Sequence, residues 1–167
     1  MSEKVRLRII DDPILREVSA PVNLPDDYTF VVGLIETMNE AMKALNGMGL
    51  AANQIGQAVQ IFILKKGDSY TEHINPEVTE QSDLVTFEKE GCLSIPGAYG
   101  STKRYNKIGL TWVDRHGIKS QGTFEGIDAF AVQHEMDHLN GKLYVDQLSP
   151  LMRKMTLKKH TKFLKGY

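Results

Sequence analysis

The segment His134-Glu135-Met136-Asp137-His138 is an H-E-x-x-H pattern. Residues four apart on a helix lie one turn apart on one face, so imidazoles at 134 and 138 can converge on one cation. Glu135 points toward the same region and stays free to handle protons. Zinc-type catalytic sites take three protein ligands and keep a fourth position for water. The plain alternative is a helix carrying ordinary surface His and Glu. Ile127, Phe130, Ala131, His134 and His138 recur at helical spacing, which predicts that both histidines sit on the apolar, core-facing side. Two stacked buried imidazoles beside a buried carboxylate are hard to satisfy without a cation.

A third ligand is needed, and Cys92 is the only thiol. It lies in Glu90-Gly91-Cys92-Leu93-Ser94. A lone cysteine is most often an inert buried residue, and it could also be a nucleophile paired with a His. Beside two histidines a thiolate is a natural third ligand, because its charge offsets the cation's. Gly91 would let the backbone come close to the metal.

The segment Gly47-Met48-Gly49-Leu50-Ala51-Ala52-Asn53-Gln54 has a compact, closely approachable backbone. It lacks the G-x-x-x-x-G-K-[ST] of a phosphate loop, and small residues after a helix usually form only a turn. Gln54 is either a surface residue or, in a hydrolase, an amide donor aimed at a developing oxyanion.

Taken together, GMGLAANQ at 47–54, EGCLS at 90–94 and QHEMDHLNG at 133–141 resemble the peptide deformylases in order, spacing and content. Supporting similarity reaches Ile74-Asn75-Pro76-Glu77, Ile95-Pro96 and Leu143 through Pro150, so it spans most of the chain. The resemblance implies Cys92, His134 and His138 as metal ligands and Glu135 as general acid/base, with metal-bound water as nucleophile. It makes Gln54 and the backbone N–H of Leu93 the oxyanion donors. It also implies an α+β fold with the H-E-x-x-H helix packed between sheets.

The implied substrate is a nascent polypeptide beginning with N-formylmethionine, and the implied products are formate and a free N-terminus. The implied native metal is Fe(II), with Zn, Ni or Co able to occupy the same ligands. A pocket for the methionine side chain is expected among Gly47, Met48, Gly49, Ile127, Phe130 and Ala131, the alternative being ordinary core. Glu88 departs from the apolar residue often found there and would alter side-chain preference if it faces substrate. Asn53, in the variable position of its motif, is expected to matter little. Glu90 and Arg104 are expected to pair and hold the Cys92 loop.

Three other readings compete. A zinc endopeptidase would share H-E-x-x-H, but it would need a downstream ligand, and only His160 is left beyond His138. A metal-stabilised binding module would close the fourth ligand position. A Cys-His hydrolase would use Cys92 as nucleophile and survive chelation.

The elements that must position these groups are readable in outline. Asp26 and Asp27 could cap a first helix, whose buried face runs through Val31, Leu34, Ile35, Met38, Ala41, Met42 and Leu45, with Gly47 ending it. Strands are expected at Val59–Leu64, near His73–Ile74, and at Leu84–Phe87, Ile108–Val113 and Lys119–Phe124. Asp114 through Gly117 reads as a hairpin turn. A second helix is expected from about Gly126 to Asn140 and a third from Ser149-Pro150. Short, mostly antiparallel strands around a central H-E-x-x-H helix, with an N-terminal and a C-terminal helix, make an α+β domain.

The 167 residues fit one domain. A formal net charge of -1 excludes a global basic field and argues against specific DNA binding. The tail from Arg153 to Tyr167 is nonetheless basic throughout, with no acid. Its default reading is a solvated helix face, and its functional reading is docking on ribosomal RNA. No stretch approaches the roughly 20 apolar residues of a membrane span. The N-terminus lacks the apolar run of a signal peptide, and a lone cysteine favours the cytoplasm. An organelle remains the alternative if a transit peptide has been removed.

Overall fold

The computed structural model describes residues 5–166, so the first four residues of the N-terminal segment and Tyr167 of the basic tail lie outside the described residues. In chain order the elements are α1 (Tyr28–Leu45), β1 (Gly49–Ala51), β2 (Ile61–Lys66), β3 (Ser69–Gln81), β4 (Leu84–Gly91), β5 (Tyr99–Tyr105), β6 (Lys107–Val113), β7 (Lys119–Glu125), α2 (Ile127–Leu139) and α3 (Pro150–Leu164). Short 3-10 turns at Pro13–Arg16, Ala52–Ile55 and Tyr144–Gln147 punctuate the chain.

The strands form a five-stranded sheet in the order β1-β2-β3-β6-β7 and a separate β4-β5 pair. Every pairing between them is antiparallel. The apolar run of β2 shows how the layers stack. Successive side chains of a strand point to opposite faces. Ile61 and Ile63 join the core formed with Val31, Ile35, Met38 and Met42 of α1. Phe62 and Leu64 join the core formed with Ala129, Val132 and Leu139 of α2. The larger sheet therefore lies between α1 and α2, and β2 is apolar from Ile61 to Leu64, where both of its faces are covered. A third cluster, with Ile95, Ala98, Tyr144 and Val145, packs against Cys92 and Leu148.

The fold is α+β as expected, with differences in detail. Asp27 occupies the N-cap position of α1 but makes no side-chain cap bond; its carboxylate accepts from Asn23 N–H at 2.8 Å instead. The helix ends at Asn46, which takes the left-handed conformation at φ 50°, rather than at Gly47. β3 runs well past Ile74, through Asn75 and Pro76. Register shifts between Ile74 and Glu80 absorb the proline, which cannot donate to the ladder. β1 and β5 were not foreseen. β5 alternates in burial, but its inward residues are Gly100, Thr102 and Arg104, so it carries no apolar period. Ser149 caps α3 through Met152 N–H and Pro150 follows it, as the sequence suggests.

Candidate metal centre

One end of α2 and the loop after β4 bring three ligand atoms together. Cys92 follows the last residue of β4, in a loop tightened by a bond from Ile95 N–H to the Cys92 carbonyl at 2.9 Å. Its Sγ lies 3.3 Å from His138 Nε2, and the Nε2 atoms of His134 and His138 are 3.2 Å apart. All three ligand atoms fall within 4.8 Å of one another. The two rings are one helical turn apart and tilted at 72°, as the i, i+4 spacing requires. His160 is elsewhere: it is buried and its Nδ1–H donates to the Pro96 carbonyl at 2.8 Å.

A buried charge network orients this triad from behind. Glu90, 2% exposed, accepts from His134 Nδ1 at 2.7 Å and from Arg104 Nη2 at 2.5 Å through the same oxygen. Its other oxygen takes Arg104 Nε at 2.9 Å and the Thr102 hydroxyl. Arg104 Nη1 reaches Asp137 at 2.7 Å. The bond at Nδ1 selects the tautomer whose Nε2 lone pair faces the ligand cluster. The expected Glu90–Arg104 pair is therefore present and is buried rather than exposed. Burial alone would raise the pKa of Glu90, but its bonds from His134 and Arg104 outweigh burial and hold the carboxyl down at about 2.

The two imidazoles are pushed in opposite directions. Burial opposes a proton on both imidazoles. At His134 the fields of Cys92, Glu90 and Glu135 overcome it and hold the pKa well above the ordinary histidine value. At His138 burial, reinforced by the neighbouring His134, drives the pKa well below it. A thiol and carboxylates gathered on two rings ask for positive charge, and a two-nitrogen, one-sulfur donor set suits a divalent transition metal.

Glu135 is 3% exposed, and its Oε2 is buried without a hydrogen-bond partner among the described residues. Burial pushes its pKa up to about 7. Gly49 faces it directly: a Cβ there would sit 2.5 Å from Glu135 Oε1. Gly47 serves the Cys92 loop in the same way, since a Cβ would lie 2.8 Å from Leu93 Cδ1. The two glycines expected to border substrate thus make room for Leu93 and for the buried carboxylate.

Gln54 is 1% exposed. Its Oε1 accepts from Ala51 N–H at 3.0 Å, which turns Nε2 toward Ser94 Oγ at 3.0 Å and Cys92 Sγ at 3.7 Å. Leu93 is half-buried in the Cys92 loop. The Gln54 amide therefore lies beside Cys92, with Nε2 turned to both Ser94 and Cys92.

The apolar stripe of α2 differs from its sequence reading. The core face is Ala129, Val132 and Leu139, joined by Gln133, Glu135 and His138. Ile127 is 50% exposed, while Phe130, Ala131 and His134 are only partly buried. The stripe is split: Ala131 packs with Trp112, Phe124 and Met136 on the sheet-side core, whereas Ile127 and Phe130 lie outside that core. Phe130 stacks on Phe87 of β4 at 4.8 Å, and Met48 is 54% exposed. Glu88 is exposed.

Sequence reasoning missed four contributors. Thr102 and Asp137 complete the network around Glu90 and Arg104. Tyr144, 1% exposed, lies with its ring 6.4 Å from that of His134. Asn53, expected to matter little, is fully buried and donates from Nδ2 to the His138 carbonyl at 2.8 Å. Asp137 and Asn53 lie inside the quoted motifs and Tyr144 in the similar segment that follows, whereas Thr102 lies in none of them.

Comparison with known proteins covers most of the chain. The family model described as polypeptide deformylase matches residues 5–154. A peptide deformylase of Rhizobium meliloti is 40% identical over 164 residues, covering 95% of this chain and 93% of that protein. One from Brucella suis biovar 1 is 37% identical over 163 residues, covering 93% and 91%. A crystal structure of a peptide deformylase from Legionella pneumophila superposes with a TM-score of 0.90 at 37% identity, covering 96% of this chain and 95% of that one.

Proposed function

The chain belongs to the polypeptide deformylase family, and on that footing we propose that it removes the formyl group from the N-terminal methionine of nascent polypeptides, releasing formate. The observation that carries this reading is the convergence of Cys92, His134 and His138 next to the buried carboxyl of Glu135.

Cys92, His134 and His138 would hold one divalent cation, Fe(II) natively, with Zn, Ni or Co able to replace it. When bound, such a cation supplies Lewis acidity that polarises a carbonyl and makes water more acidic. The chain's own groups do the rest. Glu135, with a pKa near neutrality, takes a proton from the water that adds to the formyl carbon and delivers it to the amine as the C–N bond breaks. Gln54 Nε2 and the Leu93 N–H donate to the formyl oxygen as charge develops on it. Gly47 and Gly49 let the substrate backbone approach, and Met48, Ile127, Phe130 and Ala131 line the methionine pocket. The exposed Ile127 and half-buried Phe130 support this placement better than a wholly core-facing stripe would.

No helix among the described residues is long and apolar enough to cross a membrane. A thiolate ligand suits a reducing compartment, and we place the enzyme in the cytoplasm. The basic residues of α3 dock it on ribosomal RNA: Lys154, Lys158, Lys159 and Lys162 are exposed, while Arg153 sits 3.7 Å from Asp146. Ribosome binding that survives reversal of the basic charges of this helix would refute the docking role.

The activity test is formate release from a formyl-Met peptide by protein loaded with one equivalent of metal. Formate without internal peptide cleavage, lost on chelation and regained on metal addition, is expected. Full activity after exhaustive chelation would instead favour Cys92 as nucleophile, and internal cleavage would favour an endopeptidase.

A further inference from the structure

Asn53 stands in the variable position of GMGLAANQ, yet it is fully buried. Its Nδ2 donates to the His138 carbonyl at 2.8 Å, across 85 residues of sequence. His138 lies in the last turn of α2, where carbonyls have no partner within the helix. Asn140 N–H, at the helix C-cap, also points to this carbonyl, and Gly141 N–H donates to it at a longer 3.1 Å. The next residue, Gln54, reaches Cys92 Sγ at 3.7 Å. A single 3-10 turn, Ala52–Ile55, therefore touches the backbone of one ligand and the sulfur of another.

The rest of the Asn53 amide is not satisfied. Its Oδ1 is buried without a partner among the described residues. A buried amide with an unmet acceptor is unfavourable for folding, and an apolar residue of similar size would avoid it. Costs of this kind concentrate where function requires them. The single side-chain bond that Asn53 makes among the described residues ends on a ligand residue.

We propose that Asn53 is a positioning residue for the metal centre, clamping the His138 backbone so that its ring stays in register with Cys92 and His134. This rests on the metal reading given above. Groups that orient a ligand from outside the coordination sphere commonly change metal affinity by about 10- to 100-fold when removed. The same turn holds Gln54, so the clamp also keeps the amide donor in register with the ligands.

The test is zinc transfer from singly loaded protein to a chromophoric chelator, with thermal unfolding measured on the same samples. Asn53→Leu, which keeps side-chain volume and removes the donor, should release zinc about 10-fold faster or more. Asn53→Ser, a milder change with a shorter donor, should fall between Asn53→Leu and the unaltered protein, and it carries the test if the leucine variant does not fold. Ile35→Ala on α1 is the control for general loosening: it should lower thermal stability and leave zinc release unchanged. Wild-type release rates in both Asn53 variants would overturn the clamp alone. So would equal acceleration in Ile35→Ala. Failure of the unaltered protein to hold one equivalent of zinc would overturn the metal reading and the clamp with it.

Discussion

Glu90 Oε1 lies 2.7 Å from His134 Nδ1 and 2.5 Å from Arg104 Nη2, so one buried carboxylate oxygen both orients a ligand ring and closes an ion pair. Glu90→Gln keeps the shape and an acceptor for Nδ1–H but removes the charge. Arg104, 3% exposed, would then retain only Asp137 as an anionic partner. Metal affinity should fall by about 10- to 100-fold. Stability should drop by on the order of 3 kcal/mol, because breaking a buried pair strands the remaining charge. Chelator competition and urea unfolding of the same variant check both.

Glu135→Gln removes the proton carrier and leaves the three ligand side chains in place. Metal content should stay at the wild-type level while kcat falls by about 10²- to 10⁴-fold. Turnover near the wild-type rate, with metal retained, would remove Glu135 from the reaction.

Gln54→Ala deletes an amide whose orientation is set by Ala51 N–H. If its Nε2 donates to the developing oxyanion, kcat should fall by about 10²- to 10³-fold. The effect should appear in kcat more than in KM, since the bond strengthens as charge develops. Steady-state kinetics on a formyl-Met peptide separates the two.

Far from the ligands, His73 is 1% exposed and stacks on Phe62 at 4.7 Å and against Trp112 at 4.6 Å. Burial lowers its pKa from 6.5 to about 4. Above the unfolded value the ring is neutral in both states and its contribution is fully present. As pH falls from about 6.5 toward 4 the unfolded chain takes a proton that the folded ring refuses, so stability declines. The loss can reach roughly 3 kcal/mol. His73→Phe keeps the stacking and should flatten the stability profile over that range, as measured by urea unfolding at stepped pH.

Much of the centre was legible because it is local. His134 and His138 meet through helix geometry alone, and a helix over Ile127–Leu139 needed only periodicity and a terminal glycine. Cys92 is 42 residues upstream of His134, and no period or propensity links them; only the joint resemblance of three motifs placed it. β5 escaped notice because its inward side chains, Thr102 and Arg104, serve Glu90 instead of an apolar core. β3 escaped in part because Asn75-Pro76 reads as a turn, whereas register shifts let the strand continue. The α2 stripe reads as wholly core-facing because an apolar residue looks the same in sequence whether it meets a sheet, as Ala131 does, or lies exposed, as Ile127 does. Asn53 was dismissed because its partner, a backbone carbonyl, leaves no mark in the sequence at position 138.

The central claim is that Cys92, His134 and His138 hold one catalytic cation. X-ray absorption at the metal edge of anaerobically loaded protein tests it most directly, with Cys92→Ser as the comparison. One equivalent of metal with a single sulfur and two imidazole nitrogens among its nearest neighbours is expected, the sulfur vanishing in Cys92→Ser. A wild-type spectrum with no sulfur neighbour would contradict it.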